Sequence, residues 1–146
     1  MKTDDFLNRI DEARLLEAVR AAEARTSGEV RVFVSRRKLR GADVKTRALS
    51  EFHKLDMDST EDRNAVLFYL APHDQAFAVI GDTAVHEKCG QEFWEETARC
   101  VREAFARGEF TEGLVAGIQR AADLLAEHFP REGGDRNELA DGVVRD

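Results

Sequence analysis

The stretch AVLFYLAPHDQAFAVIGD (65–82) decides the fold. Its first half is a nearly continuous apolar run that ends at Pro72, as expected of a strand buried on both faces. After His73-Asp74, the segment QAFAVIGD (75–82) reads as a second apolar strand. The polar link between them is too short for a crossover, so the pair reads as an antiparallel hairpin.

On the N-terminal side, RTSGEVRVFV (25–34) holds a helix stop followed by another strand. Val30, Val32 and Val34 alternate with Arg31, Phe33 and Ser35, which predicts a strand with one clearly apolar face. Before it, Leu15, Leu16, Val19 and Ala22 recur at helical spacing over 11–25, with Asp11 as N-cap and Ser27-Gly28 as the stop. A basic loop, RRKLRGAD, leads into a helix over 43–55, and an acidic loop, DMDSTEDRN (56–64), returns the chain to the hairpin.

Past the hairpin, TAVHEKCG (83–90) predicts a short helical turn. A long helix over 91–107 carries Phe93, Trp94, Thr97, Val101, Ala104 and Phe105 on one side, and Gly108 ends it. A last helix over 110–129 turns Leu114, Ile118, Ala121 and Leu125 inward before Pro130. The order is therefore α-β-α-β-β-α-α. This is an α/β fold: a small mixed sheet of two parallel strands plus an antiparallel hairpin strand, with room for one more, sandwiched between helices. Residues 1–130 form one domain, and 131–146 a polar tail that docks in part, with Leu139 expected to pack back on the body.

Composition narrows the function. The 146 residues suffice for one core, and a net charge of −7 excludes general nucleic-acid binding, which needs an excess of Lys and Arg. It is compatible with cation binding. No apolar run approaches the roughly 20 residues of a membrane span. The N-terminus lacks the apolar core of a secretory signal, and Cys89 and Cys100 fit no disulfide or CxxC pattern. The expectation is a cytoplasmic, monomeric protein with reduced thiols.

Connectivity brings three distant segments to one end of the sheet. If the first two strands are parallel, their starts at Glu29 and Asn64 lie together, and the antiparallel third strand returns Gly81-Asp82 to the same end. That edge carries Glu29, Asp62 and Asp82 as candidate metal ligands, with Asp56, Asp58 and Glu61 nearby. Clustered carboxylates need a compensating charge: either Arg63 or a hard divalent cation such as Ca2+ or Mg2+. Asp82 also precedes a helical turn, so a capping role is the plain alternative. The loop is not an EF-hand, because Glu61 stands where glycine is needed and Leu67 where the bidentate Glu belongs.

Other signals are weaker. His86 and Cys89 have no second metal-spaced pair, and His53, His73 and His128 show no HxxxH or HExxH spacing. There is no GxSxG, P-loop or GxGxxG, and Trp94 reads as core. Arg36, Arg37, Lys38 and Arg40 form a basic cluster at the opposite end of the sheet, which reads as a solvated loop.

AEARTSGEVRV (22–32), MDSTEDRNAVLFYLA (57–71), FAVIGDTAVHEKCGQEFW (77–94), FARGEFTEGLVAGI (105–118) and FPREGGDRNELAD (129–141), in this order, closely resemble the TPM-domain family, also called TPM phosphatases, and above all its short soluble bacterial branch. Ala65 stands where RNG is usual, and Thr83-Ala84-Val85 replaces a common Gly-Ile version. The resemblance implies a small mixed sheet between helices. It also implies three kinds of activity: acid phosphatase, divalent-cation binding, or service as an auxiliary factor of membrane complexes. Membrane-tethered or exported relatives often carry a further Asp beyond the third strand, and 87–91 offers none.

Two readings follow. In the first, the domain is a module binding a divalent cation, a protein partner, or both, at the Glu29/Asp82 edge. In the second, it is a metal-assisted phosphomonoester hydrolase in which Asp82 and Glu29 hold the cation, Arg63 neutralises phosphate and His86 is the general acid. The binding module is the leading expectation, since the edge offers no evident nucleophile.

Overall fold

A computed structural model describes residues 1–131 and 143–146. The elements run α1 (Thr3–Arg9), α2 (Glu12–Glu23), β1 (Val30–Val34), α3 (Val44–Lys54), β2 (Val66–Ala71), β3 (Ala76–Gly81), α4 (Thr83–Ala106), α5 (Phe110–His128) and β4 (Val143–Arg145). The strands form one open sheet in the order β3-β2-β1-β4. β1 pairs in parallel with β2 and with β4, and β2 and β3 make the antiparallel hairpin. The mixed sheet and its fourth strand match the expected fold.

Each side of the sheet has its own apolar layer. Val30, Val32, Val34, Val66, Phe68, Leu70, Phe77 and Val79 face α1, α2, α4 and α5, meeting Leu15, Val19, Trp94, Val101, Leu114, Ile118 and Leu125. Phe33, Leu67, Tyr69, Ala78 and Ile80 face α3, meeting Ala48, Phe52 and Met57. The two-residue period of the strands sorts the side chains between these layers, and removal of both from water is the main force holding the fold.

The two expected caps, at Asp11 and Asp82, form, and Asp43 adds a third. The Asp11 and Asp43 carboxylates accept from the Arg14 and Thr46 amides, and Asp82 accepts from Thr83. The hairpin turns through Pro72–Asp74, with Gln75 in the left-handed region (φ 51°). The short helical turn and the long helix beyond it join into α4, bent at Gly90, whose φ of 74° interrupts the helical backbone.

Three features differ from expectation or extend it. β1 is buried along its whole length, Arg31 included, because it lies between β2 and β4 with an apolar layer on each side, Phe33 stacking on Tyr69 (5.5 Å between rings) in the second. α1 precedes the first expected helix and packs Phe6 against Phe105 and Phe110. The chain's last residues return to the sheet as β4, where Asp146 accepts hydrogen bonds from Ser35 Oγ (2.8 Å) and the Arg36 amide (2.6 Å). Leu139, expected to dock, lies outside the described residues.

Candidate functional site at the Asp82 edge

The ends of β1, β2 and β3 meet as connectivity requires. The Val66 amide donates to the Glu29 carbonyl (2.8 Å) and the Asp82 amide to the Ala65 carbonyl (2.9 Å). Asn64 Nδ2 donates to Ser27 Oγ (3.1 Å), tying the first loop to the second. Carrying the strand period one residue past each end sets Glu29, Ala65 and Asp82 on the α3 side of the sheet. The Glu29 and Asp82 backbones thus stand two strand spacings apart, about 10 Å. Buried Ala65 lies between them.

Asp82 is the centre of this edge. Its side chain is only 4% exposed, and Arg63 grips it with two hydrogen bonds, Nε to Oδ2 at 2.7 Å and Nη2 to Oδ1 at 2.9 Å. The Thr83 amide adds a third donor to Oδ1 at 2.7 Å. The capping role and the Arg63 ion pair, together the plain reading of this carboxylate in the sequence, are both present. Hydrogen bonding to Asp82 also keeps the Arg63 guanidinium above its ordinary pKa. Arg63 sits in the left-handed region (φ 51°), and its carbonyl accepts from the Ala84 amide, so the backbone fixes where its side chain starts.

The other candidates divide. Glu29 is buried at the start of β1. Asp62 and Glu61 are exposed in the loop. Asp58 pairs with His53, Oδ2 to Nδ1 at 2.6 Å, and this hydrogen bond lowers its pKa. His86 is exposed on the first turn of α4, where its amide donates to the Asp82 carbonyl. His86 lines a groove along β3 with Val44, Gly81 and Trp94. Thus the structure brings Arg63 and Asp82 together, and no hydrogen bond joins the His86 ring to either among the described residues.

Some participants carry no sequence signal of their own. Glu23, at the end of α2, accepts the first amide of β1 from Val30 (2.9 Å). Thr26 Oγ1 bonds the Leu125 and Phe129 carbonyls, locking the loop before Glu29 to the end of α5. Only the return of α5 past this loop makes those contacts.

At this edge the Asp82 carboxylate is committed to Arg63 and the Thr83 amide. Hard cations take six or more oxygens. Here both Asp82 oxygens accept from Arg63, and Asp62 is turned out to solvent. Among the described residues, no three His, Cys, Asp or Glu side chains group to hold a metal ion. No catalytic step through a metal is derived for this edge.

The family model of the TPM domain matches residues 1–124. The chain belongs to the TPM-domain family. The NMR structure of the BA42 protein from the psychrophilic bacterium Bizionia argentinensis is similar to this TPM domain, with 36% identity, 92% of each chain covered and a TM-score of 0.83. Comparison with curated proteins finds no match. No helix among the described residues of the TPM domain is long and apolar enough to cross a membrane.

Proposed function

We propose that this TPM domain is a binding module that presents the Asp82 edge to a protein partner. The observation that carries the reading is the double hydrogen bond from Arg63 to the buried Asp82 carboxylate. It supplies the positive charge a metal would otherwise bring, and it fixes a half-exposed guanidinium beside exposed Glu61 and Asp62. A charged group held in place before contact loses little entropy on binding, and Arg is favoured at interface centres. The hydrolase reading lacks support at the same place, since Arg63 is already spent on Asp82 and no hydrogen bond joins the His86 ring to either among the described residues.

A photo-crosslinker in place of Asp62 tests the interface in the producing cell. A discrete adduct lost in Arg63→Ala and kept in Arg99→Ala is expected; an adduct indifferent to Arg63 rejects the interface. Melting and amide shifts under Ca2+ or Mg2+, with turnover of an aryl phosphate, test the rivals. Neither binding nor turnover is expected up to millimolar cation. A saturable response lost in Asp82→Ala would install the cation reading. Turnover abolished by both Glu29→Ala and Asp82→Ala would install the hydrolase.

A further inference from the structure

At the other end of β2 from Asp82 lies a half-open cavity of about 520 Å³. That volume lies within the roughly 300–1,000 Å³ of ordinary small-molecule pockets. Its walls are the rings of Phe6, Phe77, Phe105 and Phe110, whose centroids stand 5.2–6.1 Å apart where they pair. Two arginines complete it: Arg9, with its guanidinium 5.6 Å from the Phe110 ring centre, and Arg102 on α4.

The charge on this cavity is one-sided. No Asp or Glu lines it among the described residues. Neither Arg9 nor Arg102 has a carboxylate partner among them either. Arg20, Arg40 and Arg47 are likewise without an acidic partner among the described residues, but Arg9 and Arg102 are the two that line this cavity. Two unmatched guanidiniums at an aromatic pocket offer planar forks for a carboxylate and ring faces for an apolar body.

We propose that this cavity binds a small organic monocarboxylate with an aromatic body. The rings take up the apolar part and Arg9 with Arg102 hold the carboxylate. The site is separate from the Asp82 edge and does not depend on the function proposed there.

Amide NMR titration of the full chain with 2-naphthoate tests it, with 2-naphthylmethanol as the uncharged control and acetate as the anion without a body. Saturable shifts are expected around Phe6, Phe77, Phe105 and Phe110, unchanged by Asp82→Ala. Each control should bind about tenfold or more weakly, as should naphthoate to the Arg9→Gln/Arg102→Gln double variant, the factor expected from losing a charge-assisted hydrogen bond. Both arginines are exposed, so the double variant should retain the fold. Equal affinity for the alcohol, equal affinity in the double variant, or shifts mapping elsewhere or not saturating overturns the proposal.

Discussion

At 4% exposure the Asp82 carboxylate has given up most of its water, and its charge is sustained by Arg63 and the Thr83 amide. Removing the arginine alone should therefore do more harm than removing both charges, because it strands a buried anion. Thermal melts at neutral pH of Arg63→Gln, Asp82→Asn and the double variant test this: the double variant should be more stable than Arg63→Gln, and simple additivity would show the pair contributes no coupling. Asp82→Ala should cost about 0.5–2 kcal/mol through the lost cap. Asp58 offers a second check. Its hydrogen bond to His53 lowers its folded pKa below the unfolded value. The stability it contributes is thus fully present above the unfolded pKa and is lost as pH falls through the folded one. Carboxyl NMR titration should find Asp58 below the ordinary aspartate range and returning toward it in His53→Ala. The sequence displayed Asp82, Arg63 and their two relations, since strand ends and cap positions are local signals. Glu23 reaching the Val30 amide was hidden, because that contact depends on how a helix end folds back over a strand start.

At the scale of elements, apolar period and breakers carried most of the information. The hairpin, the parallel crossover and the caps at Asp11, Asp43 and Asp82 all rest on patterns within a few residues. α1 escaped because seven residues make too weak a helix signal; it is held by Phe6 against Phe105 and Phe110, a contact made across the fold. Burial of Arg31 escaped for a related reason, since a charged residue in an alternating strand reads as solvent-facing. The junction of β3 and α4 makes a prediction about packing. A Cβ on Gly81 would stand 2.2 Å from Trp94 Cζ2, so β3 meets α4 only where the side chain is absent. Gly81→Ala should force that buried ring aside and cost about 1–3 kcal/mol in denaturant unfolding. Gly90→Ala at the bend meets no atom within 4 Å, yet has to hold φ at 74°. With ψ at 173° this is a region only glycine adopts readily, so the change should lose about 1–3 kcal/mol through the backbone alone. An equal, negligible loss at both sites would mean that neither the close approach nor the bend constrains α4.

Across the whole molecule, the sheet is closed on one flank by residues far away in sequence. The Ser35 amide donates to Leu70 on β2, so by alternation the Val32 and Val34 amides point the other way, toward β4. Without β4 they would form an open parallel edge of the kind that invites pairing with other chains. β4 is only three residues long, and its pairing spans more than a hundred residues, so no local pattern announces it. Its hold comes from the ladder and from Asp146, which gathers Ser35 Oγ and the Arg36 amide just past the end of β1. Truncation before Val143 should therefore speed hydrogen exchange at Val32 and Val34 while Arg31 and Phe33, bonded toward β2, stay protected. Concentration-dependent association should follow in sedimentation, as the bared edge of β1 seeks a partner. Asp146→Ala should give a milder version of the exchange effect without association, since the ladder remains. Unchanged exchange at Val32 and Val34 after truncation would mean that β4 does not seal this flank, and that β1 is protected by its neighbours in the two apolar layers alone.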